Sequence, residues 1–176
     1  MLNNQQLSTL EYAHSCNVIH CDVTPMNLLM GREQQTLPRI YLIDYGLARG
    51  AFQDAQCLNH LPLTTGQPFV GTTTFASVNT HKGITLSRRD DIESLSYVLL
   101  YLLRGSLPWQ TIKATSRTQR NRLAAKQKQA RNVERLYKQY PVEFLEFYKH
   151  ARQLGFVQKP DYYYHIGCFR ALLAKG

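Results

Sequence analysis

The sequence predicts a mainly α fold of the α+β class, in which several helices accompany one short β-hairpin. Apolar residues recur at helical spacing over residues 4–15. An unbroken apolar run over 97–103 lies inside a longer helical pattern over 89–104. Two brief apolar runs, 28–30 and 40–43, flank a polar connector and are typical of a hairpin. Helical patterns cover more of the chain than strand patterns, so we expect a mainly α protein.

The amino-terminal half is predicted to hold one helix, the hairpin and an irregular segment. The helix over 4–15 has Asn3 as its candidate cap and one apolar stripe, formed by Leu7, Leu10 and Ala13. The hairpin should hold Asn27 and Asp44 near one another. From 46 to 82 the sequence becomes rich in Gly, Pro and Thr, which indicates a segment without regular structure.

The carboxyl-terminal half is predicted to be helical. The helix over 89–104 is apolar on nearly all sides, so we expect it at the centre of the core, and Gly105 should end it. Pro141 and Gly155 separate the helical patterns that follow. These remaining helices are predicted over 116–140, 142–154 and 161–173.

Composition indicates one compact intracellular domain over residues 1–176. The chain is 44% apolar, which is enough to bury a core, and its length suits a single domain. Its longest apolar run is too short to cross a bilayer, and its polar start has no signal-peptide character. The cysteines lack the close pairing of metal sites, so we expect reduced thiols at Cys16, Cys21, Cys57 and Cys168. These features favour the cytoplasm or the nucleus.

Asp22, Asn27 and Asp44 form an ordered set that is typical of phosphoryl transfer. Asp22 precedes Asn27 by five residues, and Asp44 follows a short apolar run and precedes an aromatic residue and a glycine. Phosphoryl transfer needs a carboxylate that orients the attacking hydroxyl and oxygen ligands for Mg²⁺. Because Mg²⁺ keeps waters and phosphate oxygens, two protein ligands suffice. We predict a catalytic loop at 18–28 and a metal-binding motif at 44–46.

Ordinary structural roles and a different chemistry account for these residues less well. Asp and Asn are common loop and cap residues, but that role does not explain the ordered set. Asp22 and Asp44 would also suit a glycosidase-type acid and base, but Asn27 then has no task. We expect His14 and His20 to be packing or loop residues rather than metal ligands.

Longer stretches carry a more specific resemblance. Residues 83–95 read GITLSRRDDIESL, and residues 104–110 read RGSLPWQ. Residues 12–15 and 159–162, near the two ends of the chain, contribute to the same resemblance. Together with the loop 18–28, these stretches resemble the carboxyl-terminal lobe of a protein kinase, specifically of the casein kinase I family. The resemblance covers nearly the whole chain.

That resemblance implies a serine/threonine protein kinase lineage, in which the γ-phosphate of ATP passes to protein hydroxyls with the help of Mg²⁺. Asp22 would orient the substrate hydroxyl. Asn27 and Asp44 would hold Mg²⁺ together with ATP. Leu29 and Ile43 would form the apolar floor beneath adenine. The substrates or partners would therefore be proteins.

The resemblance also implies supporting residues. His20 would support the loop by packing, and Tyr45 would pack in place of the usual Phe. Asp91, near the start of the helix over 89–104, would hold the backbone of the catalytic loop. An acidic residue there is also explained by a favourable interaction with the helix dipole. The irregular segment 46–82 would be the activation segment.

Three substitutions within the loop 18–28 depart from the family. Thr24 stands where the family has a lysine that faces the transferring phosphoryl group, and losing such a donor typically costs about 3 kcal/mol, or roughly a hundredfold in rate. Cys21 replaces the arginine of the His-Arg-Asp motif, so we do not expect control by loop phosphorylation. Met26 replaces an aspartate. We therefore predict impaired phosphoryl transfer, with Thr24 as one cause.

The start of the chain leaves no room for a kinase amino-terminal lobe. Only 21 residues precede Asp22, whereas several strands of about 5 to 6 residues and a helix of about 11 are needed. Gly66 and Gly71 do not belong to a G-x-G-x-x-G pattern. We expect this chain to lack that lobe, to bind ATP weakly and to expose an apolar face where the lobe would pack.

Positive charge is concentrated in the basic segment 113–138, which has nine Lys or Arg residues and one acidic residue. It is either a solvated helix face or a docking face for an acidic or phosphorylated protein. In the casein kinase I family, a pocket for anionic substrate uses positions that match Gln110, Thr111 and Arg120. It also uses an activation-segment arginine that is Thr74 here, which weakens the expected preference for phosphorylated substrates.

Three functions are compatible with these features. We favour an impaired, pseudokinase-like module that binds protein partners over an active serine/threonine kinase. A polyanion or nucleic-acid binder that acts through 113–138 is the least supported. The tyrosines at 162–164 are expected on a partly buried helix surface rather than stacked on bases.

Overall fold

The computed structural model describes residues 2–31, 39–52, 59–129 and 133–175, except for the side chains of Leu2 and Asn3. Its helices are α1 (Leu2–Ser15), α2 (Val78–His81), α3 (Arg88–Arg104), α4 (Arg117–Gln129), α5 (Val133–Tyr137), α6 (Val142–Gln153) and α7 (Tyr162–Leu173). Its strands are β1 (Val18–Ile19), β2 (Leu28–Met30), β3 (Ile40–Leu42) and β4 (Arg49–Gly50). The mainly α prediction with a short hairpin is confirmed. Most of the predicted hairpin connector, and Cys57, lie outside the described residues.

The hairpin pairs β2 with β3 in antiparallel register, with Leu28 opposite Leu42. A second antiparallel pair joins β1 to β4. This pair was not predicted, because a strand of two residues is too short to show an alternation of apolar and polar residues. Asn17 fastens this pair, since its Oδ1 accepts from the backbone N–H groups of Ala51 (2.7 Å) and Phe52 (2.8 Å). Both pairs lie next to residues of the predicted catalytic loop.

Helix α3 forms the centre of the core, as its apolar pattern predicts. Leu95, Val98 and Leu100 are almost fully buried, and α6 packs along the same helix. Its first turn is tied down because the Asp90 carboxylate accepts from the Ser87 backbone N–H (2.8 Å). Its end falls at Gly105, whose φ of 79° is a left-handed conformation that glycine adopts without strain.

Helix α1 packs against α7 and β3 through the predicted apolar stripe, and Leu7 and Leu10 are buried. It begins at Leu2, so Asn3 lies inside its first turn rather than capping it. The Gln5 Oε1 atom accepts from the Ile40 backbone N–H (2.7 Å), which fixes the hairpin against this helix. No helix among the described residues is long and apolar enough to cross a membrane.

The helix predicted over 116–140 agrees with the described residues from Arg117 to Gln129 and from Val133 to Tyr137, and it ends earlier than predicted. Helix α4 ends at Gln129, α5 covers Val133–Tyr137, and residues 130–132 between them lie outside the described residues. The chain then turns at 138–139, since Tyr140 donates its backbone N–H to the Tyr137 carbonyl (3.0 Å). The helical pattern of the sequence was therefore right in type and wrong in extent.

Candidate functional site

Asp22 lies half-buried in the loop 18–28, between the core and the surface. Its Oδ1 atom accepts from the Thr72 backbone N–H (2.9 Å), so the predicted activation segment contacts this carboxylate directly. Gly71, at φ 80°, makes that approach possible: a Cβ atom there would lie 2.7 Å from the Cys21 carbonyl oxygen. The segment before Thr72 is thus fitted closely against the loop.

Asn27 and Asp44 are held at the same end of the hairpin, as the sequence predicts. The buried Asn27 amide donates from Nδ2 to the Asp22 carbonyl (2.9 Å), and its backbone carbonyl accepts from the Ile43 N–H (2.9 Å). Asp44 follows directly, exposed and in a left-handed conformation with φ 61°. Its Oδ1 accepts from the Gly46 N–H (3.3 Å). The Asn27 amide oxygen and the Asp44 carboxylate are therefore the oxygen donors at this end.

His20 does more than pack, which the sequence did not reveal. The ring is fully buried, and Nε2 donates to the Ile43 carbonyl (2.9 Å) while Nδ1 accepts from the Asp22 N–H (3.3 Å). Tyr45 contacts it edge to face, with ring centroids 4.8 Å apart. The imidazole thus joins the backbone of the loop to the residue before Asp44.

The buried Asp91 carboxylate fixes the backbone of the loop 18–28. One carboxylate oxygen accepts from the His20 N–H (2.7 Å) and the other from the Cys21 N–H (2.9 Å). Cys21 adopts φ 66°, a conformation that is costly for a residue other than glycine and is kept only where its surroundings impose it. Burial, and the nearby Asp91 charge, raise the pKa of the Cys21 thiol well above its ordinary value. Cys21 is therefore a buried neutral residue and not a cation.

Thr24 and Met26 stand at two of the positions where the sequence predicts a departure from the casein kinase I pattern. Thr24 is buried at the start of a single 3₁₀ turn, Pro25–Asn27, and its backbone carbonyl accepts from the Asn27 N–H (3.1 Å). Met26 is 82% exposed. Neither side chain supplies a positive charge to the Asp22 end of the loop.

Leu29 and Ile43, the predicted adenine floor, both lie on the exposed side of the hairpin. Tyr45 and Leu47 are exposed beside them. Apolar side chains that cluster in this way commonly mark a contact surface. The prediction of an exposed apolar face therefore agrees with the structure at these positions.

The segments that carry the predicted anion site contact one another through neighbouring residues. Gln110, Thr111 and Arg120 are exposed, and Thr74 is half-buried. The residues beside them are in contact: the Trp109 indole N–H donates to the Thr74 carbonyl (2.7 Å). Next to Arg120 and Thr74, the Thr73 hydroxyl donates to Asn121 Oδ1 (2.5 Å). The Arg120 side chain has no carboxylate partner within ion-pairing distance among the described residues.

Lys128 is an exception within the basic segment, because it is 1% exposed and is itself neither a solvated residue nor a docking residue. Its ammonium donates to the carbonyls of Thr73 (2.8 Å) and Ala76 (2.6 Å), and it faces the rings of Tyr97 and Trp109. Burial lowers the pKa of Lys128 to about 7. This side chain therefore clamps the turn that follows Thr72.

The donor set suits Mg²⁺ rather than a transition metal. Asn27 and Asp44 offer oxygen atoms, which Mg²⁺ prefers. No group of three or more His, Cys, Asp or Glu side chains that would hold a metal occurs in the part of the chain that the structure describes. Two protein oxygens fit a metal whose remaining ligands are phosphate oxygens and water.

The helical body, the hairpin and the loop whose hydrogen bonds connect Asp22 and Asn27 to the residue before Asp44 are those of a kinase-like fold. A family model described as the protein kinase domain matches residues 1–154, and the chain belongs to this family. Membership implies phosphotransferase chemistry, general use of ATP with Mg²⁺, and proteins as substrates or partners. The match ends before α7, which packs on α1.

Proposed function

We propose that this chain is the carboxyl-terminal catalytic lobe of a serine/threonine protein kinase of casein kinase I type, with impaired phosphoryl transfer. Asp22 orients the substrate hydroxyl, while Asn27 and Asp44 hold Mg²⁺ with ATP. Leu29 and Ile43 form the floor beneath adenine. The main role of the chain in this form is to bind protein partners.

One observation carries the proposal: a continuous hydrogen-bonded frame links Asp22, Asn27 and Ile43, the residue that precedes Asp44. Asn27 Nδ2 donates to the Asp22 carbonyl, and the Ile43 N–H donates to the Asn27 carbonyl. His20 closes the frame through the Ile43 carbonyl and the Asp22 N–H. Because phosphoryl transfer depends on positioning, a frame that fixes these groups is the part of the catalyst that a protein must build.

The same site explains why transfer should be weak. Bound Mg²⁺ would neutralise charge on the phosphates, but the loop itself adds no cation, since Thr24 is buried and neutral. A missing transition-state donor costs on the order of a hundredfold in rate. Cys21 adds no charge either, because burial keeps its thiol protonated. A chain that keeps the hydrogen-bonded loop but lacks the lysine at position 24 retains the binding of partners more readily than catalysis.

The casein kinase I assignment rests on the segment 83–95 and on the position of the anion site. In α3, Asp90 accepts from the Ser77 hydroxyl (2.7 Å) and from Asn79 Nδ2 (3.0 Å), which ties this family-specific segment to the end of the activation segment. Arg120, exposed and without a carboxylate partner among the described residues, favours an acidic or phosphorylated protein as partner. Thr74 lacks the charge that would complete a phosphate clamp. An intracellular setting fits the free thiols of Cys16 and Cys168.

A test of the proposal restores the missing cation. With radiolabelled ATP and casein, we expect little transfer by the unsubstituted chain and at least tenfold more by Thr24→Lys. Thr24→Met is the matched control, since it adds length without charge and should give no gain. Adding Asp44→Ala should abolish the gain of Thr24→Lys, while casein binding measured by calorimetry stays unchanged.

Two results would count against the proposal. Robust Asp44-dependent transfer by the unsubstituted chain would show that catalysis is not impaired. Equal rates for Thr24→Lys and Thr24→Met, with both proteins folded by circular dichroism, would show that the missing charge is not the cause.

A further inference from the structure

Helix α7 is connected to the loop 18–28 by a buried chain of hydrogen bonds. The Tyr162 hydroxyl, on a side chain that is 2% exposed, lies 2.5 Å from Nδ1 of His14 in α1. The other ring nitrogen of His14, Nε2, lies 2.8 Å from Oδ2 of Asp91. Three helices that are distant in sequence thus meet at one imidazole.

With the His14 ring neutral, the chemistry of the three groups fixes which atom donates in each bond. A carboxylate only accepts, so His14 Nε2 carries the proton that points to Asp91. In the neutral ring Nδ1 is then an acceptor, and the Tyr162 hydroxyl donates to it. Burial raises the pKa of Tyr162 further above its ordinary value, so the hydroxyl keeps its proton. The chain runs in one direction, from Tyr162 through His14 to Asp91.

Asp91 connects this chain of hydrogen bonds to the backbone of the loop 18–28. The oxygen that accepts from His14 also accepts from the His20 N–H, and its second oxygen accepts from the Cys21 N–H. Cys21 holds a left-handed conformation that costs energy, so the loop depends on these bonds to keep its shape. Rotation of the Asp91 carboxylate would weaken both amide contacts at once.

Tyr162 is well placed to act as the fixed end of the chain. It is the first residue of α7, and Asp161 caps this helix by accepting from the Tyr164 N–H (3.0 Å). Helix α7 also packs along α1, which carries His14. The position of the hydroxyl is therefore set by helix packing rather than by the loop that it supports.

We infer that Tyr162 is a positioning residue for the loop 18–28, acting through His14 and Asp91. It lies beyond residue 154, where the match to the protein kinase domain ends, so α7 adds a support that the matched region does not contain. The inference that this support serves phosphoryl transfer rests on the proposed function. The inference that Tyr162 positions the loop does not rest on the proposed function.

The test compares Tyr162→Phe with Tyr163→Phe by amide hydrogen exchange. Both substitutions remove one phenol hydroxyl, but Tyr163 is 88% exposed and makes a matched control. In Tyr162→Phe we expect the amides of His20 and Cys21 to exchange about tenfold faster, because their acceptor loses its alignment. Amides in the middle of α3 should keep their rates, and Tyr163→Phe should leave all of these rates unchanged.

A second readout follows the imidazole directly. The ¹⁵N chemical shifts of His14 report which ring nitrogen carries the proton, and they should change in Tyr162→Phe and not in Tyr163→Phe. His14→Gln should accelerate exchange at the same two amides, which provides a second variant should Tyr162→Phe fold poorly.

The outcomes separate the inference from the proposed function. Unchanged exchange at His20 and Cys21 in Tyr162→Phe would overturn it, as would an equal acceleration at every amide, which would mean that Tyr162 contributes only to global stability. Failure of Thr24→Lys to gain activity removes the proposed cause of impairment and leaves the exchange result standing. These measurements need neither ATP nor a substrate.

Discussion

The two sides of the loop 18–28 meet different surroundings. On the buried side, Asp91 accepts three hydrogen bonds from inside the core, two of them from the loop backbone. On the open side, Asp44, Leu29 and Ile43 are exposed, and the Asp44 carboxylate accepts one long hydrogen bond, from the Gly46 N–H (3.3 Å), among the described residues. The buried side sets where the reactive groups stand, while the open side is free to meet a ligand. The residues that fix the shape of the loop are therefore different from the exposed residues that would contact a ligand.

The largest expected difference is between two aspartates on opposite sides of the loop. Asp91→Asn should lower the free energy of unfolding by about 2–4 kcal/mol, because an NH₂ group would face buried N–H donors. Asp44→Asn should change it by less than about 0.5 kcal/mol, since the site is exposed and Asn tolerates left-handed backbone. Urea denaturation of the two variants measures both values. Equal losses would erase the distinction between the two sides.

A second comparison tests whether buried hydrogen bonds also fix the predicted activation segment. Lys128→Met should lower the free energy of unfolding by about 1–3 kcal/mol, because the carbonyls of Thr73 and Ala76 lose their donor. Lys126→Met, two residues away on the exposed side of α4, should cost less than about 0.5 kcal/mol. If thermal unfolding gives the two variants the same stability, Lys128 does not clamp the turn.

A third comparison concerns the dependence of stability on pH. Burial, reinforced by Lys128, lowers the pKa of His81 from 6.5 to about 3. As the pH falls below 6.5 the unfolded chain therefore binds a proton that the folded protein excludes, and stability should fall by about 1.4 kcal/mol per pH unit from this group. The effect is fully absent above 6.5 and continues down to the folded pKa.

His81→Gln removes this titration and keeps an acceptor for Lys128. Urea denaturation at pH 7, 5.5 and 4.5 should therefore give a shallower decline for the variant than for the unsubstituted chain. His165, whose pKa burial and His150 lower to about 4, is the same in both proteins and supplies the common background. Identical slopes would mean that His81 titrates normally in the folded state.

Local patterns in the sequence predicted the features that depend on neighbouring residues. The apolar periodicity of α3 and the glycine at 105 predicted a central helix and its end, and the structure has both. The hairpin followed from two apolar runs, and it brings Asn27 next to Ile43. The order of Asp22, Asn27 and Asp44 predicted a shared site, and hydrogen bonds connect Asn27 to Asp22 and to Ile43, the residue before Asp44.

Features that depend on tertiary contacts were not predictable. Lys128 stands in a run of basic residues, and nothing local marks it as the buried one. His14 and Tyr162 are separated by 148 positions, so their contact has no pattern in the chain. His20 was expected to pack, but its two ring nitrogens bond to backbone groups whose positions only the folded loop defines. Single-sequence patterns report periodicity, whereas these roles follow from partners that are distant in sequence.

The environment of Cys21 has a consequence for chemical labelling. Its position beside Asp22 would suggest it as the target of an electrophilic compound aimed at the site. The reacting species is the thiolate, and burial together with Asp91 keeps this thiol protonated with its Sγ turned toward the Ile19 carbonyl (3.5 Å). Cys16, exposed just after α1, should therefore react first among the described cysteines. A fluorophore attached there would report on the end of α1 and leave the loop chemically intact.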